Sequence, residues 1–118
     1  MKFNTSIPIY LQVITAIKRD IVTGKMKAGD KLPSGRDLAA AYQINPNTAA
    51  RVYQELEREG ITFTKRGLGT FVAEDEELFL RLKEEMAEEI LDRFFEEMKE
   101  LGISPEEAVQ MAEKDRKK

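Results

Sequence analysis

The sequence predicts an α+β protein that is mostly helical, with three helices and a two-stranded hairpin followed by two further helices. Three observations support this fold class. Apolar residues recur every three or four positions over most of the chain, which is the period of an amphipathic helix. Over residues 61–72 the period changes to two, as in a β-hairpin. From Glu74 the composition shifts to charged and large apolar residues, so we expect one domain over 1–73 and a helical tail over 74–118.

The first two helices are predicted from their start signals and apolar periods. Proline is tolerated in the first turn of a helix, and Pro8 opens a stretch that we expect to be helical to about Thr23. The apolar stripe of this helix is Tyr10, Val13, Ile14, Ile17 and Ile21. We expect a turn from Gly24 to Leu32. Ser34 is a favoured N-cap for a short second helix over Gly35–Tyr42.

The third helix has the clearest start signal in the chain. Asn45 is a favoured N-cap, and Pro46 occupies the first helical position, where proline is over-represented. We expect this helix to run to about Glu59 and to end at Gly60. Its apolar face is formed by Ala49, Val52, Tyr53 and Leu56. Its polar face is formed by Thr48, Arg51, Glu55 and Arg58.

A hairpin follows the third helix. β-Branched and aromatic residues at 61–64 and 70–72 predict two short strands. The residues between them are Lys65, Arg66, Gly67, Leu68 and Gly69. We therefore expect a hairpin whose tip is basic and contains glycine.

Two helices are predicted in the tail. Apolar residues step by three or four positions from Phe79 to Leu101, and Gly102 follows as a terminator. A serine N-cap, a proline and two glutamates at residues 104–107 then start a final helix that extends to about Lys114.

The tail carries more large apolar side chains than one short helix can cover. Phe94 and Phe95 are adjacent, so they leave the long helix on different sides. One side can pack on the final helix through Ala108 and Met111, and the other has no partner within so small a chain. Because exposed apolar patches mark association sites, we expect the tail to form a homodimer. The predicted dimerisation residues are Phe79, Leu82, Met86, Ile90, Leu91, Phe94, Phe95 and Met98.

Cysteine and histidine are absent from the sequence. Their absence excludes disulfides, thiolate zinc sites, cysteine nucleophiles and imidazole acid–base catalysis. Carboxylates alone can catalyse, as in glycosidases, but they need a deep cleft on a larger scaffold. We therefore predict no enzymatic activity, no catalytic residues, no metal and no cofactor. Because the chain has no apolar run of about 18 residues and no secretory signal at its start, we expect a cytoplasmic protein with no membrane partner.

Charge is distributed unevenly along the chain, whose formal net charge is −3. Residues 1–73 hold 11 lysines and arginines against 6 acidic residues, a net charge of +5. Residues 74–118 hold 8 against 16, a net charge of −8. Such an asymmetry either serves solubility alone or indicates that the first part of the chain meets a polyanion.

Three short helices followed by a two-stranded hairpin are the element order of a winged helix-turn-helix. The third helix has polar, donor-rich residues at its N-terminal end, which in helix-turn-helix proteins enters the major groove of DNA. Asparagine and arginine can form bidentate hydrogen bonds with adenine and guanine edges. The candidates for DNA contact in this helix are Asn45, Asn47, Thr48 and Arg51. Lys65 and Arg66 either are solvated charges or reach phosphates or a narrow minor groove.

Four blocks of residues stand in order between about residues 7 and 73. They are Ile9-Tyr10-x-Gln12, Gly29-Asp30-Lys31-Leu32-Pro33-Ser34-x-Arg36-Asp37-Leu38-Ala39, Ile44-Asn45-Pro46-Asn47-Thr48-x-x-Arg51-x-Tyr53-x-x-Leu56-x-x-x-Gly60 and Gly67-x-Gly69-Thr70-Phe71-Val72. In these blocks the chain resembles the GntR family of bacterial regulators. The Asn-Pro-Asn-Thr variant and the short tail resemble its YtrA subfamily.

The resemblance implies that five residues approach DNA: Arg36, Asn45, Asn47, Thr48 and Gly67. Arg36 can instead pair with a nearby acid, and Asn45 can serve only as a helix cap. Two positions depart from the family pattern. Gly35 stands where many members have glutamate, and Arg51 stands one residue beyond the usual arginine position, which is Ala50 here. A shift of one residue rotates a helical side chain by about 100°, so the usual contact is not assigned to Arg51.

The resemblance also implies a function. We expect a homodimeric repressor that binds a pseudopalindromic double-stranded DNA operator and controls a transporter or envelope-stress operon. The sequence leaves open whether a small-molecule effector binds, and a pocket for one would lie at the dimer interface. The alternative, from a different class, is a winged-helix protein-interaction module whose basic face binds an acidic partner.

Overall fold

The computed structural model describes Phe3 and residues 5–117. Its elements in chain order are α1 (Ile9–Val22), α2 (Gly35–Tyr42), α3 (Pro46–Arg58), β1 (Thr62–Lys65), β2 (Gly69–Val72), α4 (Glu76–Glu100) and α5 (Pro105–Arg116). The fold is α+β and mostly helical, with a two-stranded antiparallel sheet, which confirms the predicted fold class. None of the helices in the described part of the chain is long and apolar enough to cross a membrane.

Side-chain caps fix where α2 and α3 begin. Ser34 Oγ accepts a hydrogen bond from the backbone N–H of Asp37 at 3.1 Å. Asn45 Oδ1 accepts one from the backbone N–H of Asn47 at 2.7 Å. Each cap satisfies an N–H group that has no partner within its own helix. The turn between these helices contains Gln43, whose left-handed backbone (φ 54°) ends α2 abruptly.

The chain divides into two compact units, the N-terminal unit up to Leu82 and the C-terminal unit from Lys83. Helix α4 runs through both units. Its first turns belong to the N-terminal unit, where Leu82 is 6% exposed. The change of composition at Glu74 therefore precedes the division between the units, and the assignment of domains to 1–73 and 74–118 stays a prediction.

The core of the N-terminal unit lies where α3 packs against α1 and α2. Its most deeply buried large side chains come from α1, α3 and the hairpin: Val13, Ile17, Val52, Leu56, Ile61 and Val72. These are positions that the apolar periods predicted. Burying one such side chain contributes about 1.5–3 kcal/mol, so this packing orients α3 relative to its neighbours.

The hairpin is extended by a third, short segment of backbone. Gly29 N–H donates to Val72 O, Val72 N–H donates to Asp30 O, and Leu32 N–H donates to Thr70 O, each at 2.8 Å. The prediction of a simple turn from Gly24 to Leu32 was therefore wrong in its second half. Residues 29–32 pair with β2 because the outer edge of that strand would otherwise present unpaired backbone groups.

The C-terminal unit contains the rest of α4 and all of α5. Helix α4 ends at Glu100, and Gly102, which follows it, has a φ of 78° that allows Ile103 N–H to donate to Met98 O at 3.0 Å. Ser104 Oγ accepts a hydrogen bond from Glu107 N–H at 3.2 Å and caps α5. Ala108 of α5 is fully buried, as the sequence predicted.

Candidate nucleic-acid interface

The polar start of α3 is a surface of unoccupied hydrogen-bonding groups. Asn45, Asn47 and Arg51 are exposed, and Thr48 is half-buried. Of these four residues, only Asn45 forms a side-chain hydrogen bond to another described residue, because it caps the helix. The N-terminus of a helix also carries a partial positive charge, which favours an approaching phosphate.

Most side chains predicted to contact DNA have hydrogen-bonding groups that no other described residue uses. No hydrogen bond or ion pair joins any of the following side chains to another described residue: Arg36, Asn47, Thr48, Arg51, Lys65 and Arg66. Arg36 lies in the first turn of α2 and is exposed. The alternative in which Arg36 pairs with a nearby acid therefore has no support among the described residues.

Arg51 has a partner that the sequence did not suggest. Its guanidinium carbon lies 3.7 Å from the centre of the Tyr10 ring, so the side chain stacks on an aromatic residue of α1. The sequence indicated Arg51 only as a candidate for DNA contact and did not predict this contact with Tyr10. Forty-one positions separate the two residues, and only the packing of α1 against α3 brings them together.

Tyr53 ties α3 to the turn that precedes α2. Its hydroxyl donates a hydrogen bond to Pro33 O at 2.5 Å. Burial, with smaller effects of Tyr42 and Asp37, raises the pKa of Tyr53 to about 12. The apolar period predicted Tyr53 on the apolar face of α3 and carried no sign of the hydrogen bond that its hydroxyl forms. The bond fixes α3 relative to the segment that carries Arg36.

The far end of α3 is occupied by internal ion pairs. Lys18 Nζ lies 3.0 Å from Glu59 Oε1, and Arg58 pairs with Glu55. The hydrogen bond with Arg58 lowers the pKa of Glu55, and the same bond raises the pKa of Arg58. Lys18 and Arg58 are thus already neutralised by acids. The unpaired positive charge on this helix lies nearer its start, at Arg51.

The hairpin of β1 and β2 is the wing of this fold, and its first strand is hydrogen-bonded to α3. Glu57 Oε1 accepts a hydrogen bond from the backbone N–H of Thr64 at 3.0 Å. Lys65 was expected in the hairpin tip, but it is the last residue of β1 and is paired with Gly69. Its register places it on the same sheet face as Phe63, because side chains two residues apart share a face.

An aromatic pair lies beneath the Lys65 ammonium group. The ring centres of Phe63 and Phe71 are 5.8 Å apart, and Lys65 Nζ lies 5.6 Å and 5.1 Å from them, respectively. Both distances allow a cation–π attraction. Arg66 and Gly67 lie in the turn and are exposed, and Gly67 has a φ of 81°, which favours glycine. The wing therefore presents two cations, one of them supported by aromatic rings.

The predicted dimerisation residues fall into three groups. Leu82 is buried within the N-terminal unit, so its burial requires no second chain. Half-buried residues are Phe79, Met86, Phe94, Phe95 and Met98. Ile90 and Leu91 are 50% and 52% exposed. The last two have the largest exposed fractions in the predicted set.

The C-terminal unit also contains an apolar groove. It has a volume of about 580 Å³ and is lined by Phe94, Met98, Met111, Ala112, Lys114 and Asp115. Met111 was expected to be covered by the long helix, but it is 51% exposed and borders this groove. Ala108, the other residue of α5 that was expected to pack there, is fully buried.

The chain is similar to known bacterial regulators. The sequence profile of the family described as "Bacterial regulatory proteins, gntR family" matches residues 9–72. The HTH-type transcriptional regulator YhcF of Bacillus subtilis is 45% identical over 109 residues, which cover 92% of this chain and 90% of YhcF. The HTH-type transcriptional repressor YtrA of Bacillus subtilis is 43% identical over 98 residues, which cover 78% of this chain and 75% of YtrA.

A solved structure is similar over almost the same extent. A GntR family transcriptional regulator from Listeria monocytogenes matches with a TM-score of 0.86 and 40% sequence identity. The match covers 95% of this chain and 98% of the Listeria chain. Similarity therefore extends beyond the helix-turn-helix into the C-terminal helices.

Proposed function

The chain belongs to the GntR family of bacterial regulatory proteins and is a DNA-binding transcriptional regulator, not an enzyme, and from this premise we propose that it is a homodimeric repressor of a pseudopalindromic operator. Similarity to YtrA supports repression, because that relative is a transcriptional repressor. The subfamily resemblance supports a transporter or envelope-stress operon as the target. Because bacterial DNA lies in the cytoplasm, we place its action there.

The observation that carries the operator assignment is the set of unpaired donors on α2, α3 and the wing. Asn47, Thr48 and Arg51 lie within the first two turns of α3, and no described acid forms an ion pair or hydrogen bond with their side chains. Arginine and asparagine contacts of this kind distinguish one base pair from another. Arg36 and the wing cations add positive charge, which favours phosphates of any sequence.

Exposed apolar side chains of α4 support the proposal that two copies of the chain associate. Ile90 and Leu91 each leave about half of a large apolar side chain in water. Covering such side chains releases free energy of about 1.5–3 kcal/mol for each one that becomes fully buried. A two-fold dimer would set two recognition helices roughly 34 Å apart, one turn of duplex, and would therefore require a palindromic site.

Selection and footprinting test the proposal. The full chain is used to enrich duplexes from a randomised library, and the enriched sequence is then protected from nuclease in the DNA upstream of the chain's own gene. We expect an inverted repeat with half-sites about one helical turn apart, bound by two copies in sedimentation. Reporter expression from that promoter should fall when the protein is supplied.

The same experiment separates the alternative functions. Binding of all duplexes with equal affinity would contradict sequence-specific repression. Weak binding whose dependence on salt concentration is flat would contradict phosphate contact and favour a module that binds an acidic protein. Enrichment of a single half-site by a monomer would retain the DNA-binding surface but overturn the dimer.

A further inference from the structure

We infer that Tyr10 of α1 is a positioning residue for Arg51, holding its guanidinium group in the orientation from which it contacts an operator base. The inference rests on the proposed function and deepens it. It assigns a role in DNA specificity to a residue that lies outside the helix-turn-helix, on the helix that precedes it. Tyr10 acts through Arg51 and requires no contact of its own with DNA.

The two side chains meet at van der Waals distance. The guanidinium carbon of Arg51 is 3.7 Å from the centre of the Tyr10 ring, which places it over the ring face. Tyr10 is half-buried, and it precedes Val13 and Ile14, which are 0% and 4% exposed. The core therefore anchors the helix turn that carries the ring. The Tyr10 ring thus extends from a helix turn that is anchored in the core, whereas the Arg51 side chain is exposed.

Stacking leaves the hydrogen-bonding groups of the arginine available. The five N–H groups of a guanidinium lie in its plane and point outward from its edges. Contact through the flat face uses none of them. The Arg51 side chain forms no hydrogen bond or ion pair with a described residue, so these donors are free to bind a base edge.

A nearby acid attracts Arg51 electrostatically but forms no ion pair with it among the described residues. Glu55 lies four residues further along α3, a spacing at which a carboxylate can pair with an arginine. Here the Glu55 carboxylate is held by Arg58 through several hydrogen bonds. Arg51 therefore stays with Tyr10 rather than folding back along its own helix.

Arg51 also lies on the appropriate face of α3. Thr48 and Asn47 precede it by three and four residues, and side chains at these spacings lie next to one another on a helix. An arginine side chain has many rotamers in water, and ordering them during binding reduces affinity. Because Tyr10 restricts those rotamers before DNA arrives, it should increase the affinity of the site that Arg51 contacts.

Binding measurements on the full chain test this role. Duplex enriched by the wild-type protein and a random duplex of equal length are titrated with Tyr10→Leu, Tyr10→Phe, Arg51→Ala and the double variant Tyr10→Leu/Arg51→Ala. Leucine retains apolar bulk but removes the aromatic face. We expect Tyr10→Leu to weaken binding of the enriched duplex roughly three- to tenfold, with little change on random duplex. Tyr10→Phe should restore binding to within about twofold, because its ring face remains.

The double variant identifies the route of the effect. If Tyr10 acts through Arg51, Tyr10→Leu should cause no further loss once Arg51 is alanine. Leu11→Ala, which removes a neighbouring exposed side chain from the same helix, should change neither affinity. Equal losses from Tyr10→Leu with and without Arg51, or equal losses on both duplexes, would show a merely structural role and overturn the inference.

A spectroscopic measurement does not depend on DNA. In the wild-type protein, the side-chain protons of Arg51 should be shifted upfield by the ring current of Tyr10, and Tyr10→Leu should abolish that shift. An unshifted Arg51 in the wild-type protein would overturn the inference even if Tyr10→Leu were too unstable for titration. If the wild-type chain enriches no sequence, the proposed function and this inference both fail. Enrichment with an unchanged specificity ratio in Tyr10→Leu overturns the inference alone.

Discussion

The Tyr53 hydroxyl and the Pro33 carbonyl are hydrogen-bonded at 2.5 Å although twenty residues separate them along the chain. Pro33 lies just before the N-cap of α2, and Tyr53 lies in the middle of α3. The bond therefore links the helix that carries Arg36 to the helix that carries Arg51. It is an internal link between two parts of the proposed DNA-binding surface.

Removing the Tyr53 hydroxyl should weaken the link between α3 and the segment before α2, with little effect on the packing of the core. Tyr53→Phe keeps the ring and deletes the donor, so we expect the free energy of unfolding to fall by about 0.5–1.5 kcal/mol. Urea denaturation monitored by circular dichroism measures the change. Tyr42→Phe is the matched control, because its hydroxyl has no hydrogen bond to a described residue. An effect of Tyr42→Phe as large as that of Tyr53→Phe would contradict the assignment.

Tyr53 should also make stability depend on pH in alkaline solution. Its pKa is raised to about 12 in the folded chain, chiefly by burial, whereas the ordinary value is 10.0. The unfolded chain therefore releases this proton at lower pH than the folded chain does. The stabilisation is fully present below pH 10 and is lost as the pH rises to 12.

Denaturation midpoints between pH 9 and pH 12 measure this loss. The wild-type midpoint should fall faster over this range than that of Tyr53→Phe, which has no phenol at this position. Tyr42, whose pKa is also raised by burial, contributes in the same direction to both proteins. Parallel pH curves for the two proteins would refute the prediction.

The cap role and the DNA role of Asn45 can be separated by two substitutions. Asn45→Ala deletes the acceptor for Asn47 N–H and should destabilise the fold by about 1 kcal/mol. Asn45→Asp retains the acceptor and should retain stability, but it adds negative charge where α3 meets DNA and removes the amide donor. We expect Asn45→Asp to weaken operator binding severalfold, measured by fluorescence anisotropy. Unchanged binding by Asn45→Asp would leave Asn45 as a cap alone.

The wing should contribute mainly through charge. Replacing Lys65 and Arg66 with glutamine should weaken binding and reduce the slope of log K against log salt by roughly one to two units. Titrations at several salt concentrations give the slope. Lys25→Gln/Lys27→Gln, which removes two exposed cations of the α1–α2 loop, is the control for total charge. Reduced affinity with an unchanged slope would exclude phosphate contact and indicate recognition of minor-groove shape.

Local signals in the sequence were sufficient for the helices and the hairpin. The caps at Ser34 and Asn45 act within three residues, and the apolar periods describe single elements, so both are visible without a structure. The pairing of residues 29–32 with β2 was not visible, because it depends on a strand that lies forty residues away in the chain. Residues 29–32 have neither an apolar alternation nor enough length to be predicted as a strand.

The candidate site shows the same limit. The types of residue at the start of α3 indicated DNA contact, which stays a prediction; Asn45, Asn47 and Arg51 are exposed and Thr48 is half-buried. The contacts of Arg51 with Tyr10, and of Tyr53 with Pro33, arise from helix packing and carry no local signature. The position of Lys65 depended on the hairpin register, and a turn of three residues rather than five moved it into β1.

Dimerisation should depend on the exposed apolar residues of α4 rather than on those that the chain buries by itself. Ile90 and Leu91 are about half exposed, so Ile90→Lys/Leu91→Lys should leave the monomer folded. If these residues form the interface, the variant should dissociate at concentrations where the wild-type protein is a dimer, since each side chain contributes up to about 1.5–3 kcal/mol of burial. Sedimentation equilibrium measures the oligomeric state of both proteins, and circular dichroism verifies the fold.

Glu89→Lys is the control, because it places a lysine at the neighbouring position of the same helix without removing apolar surface. This variant should remain dimeric. A wild-type chain that is monomeric at micromolar concentration, or a double variant that is still dimeric, would place the interface elsewhere or remove it.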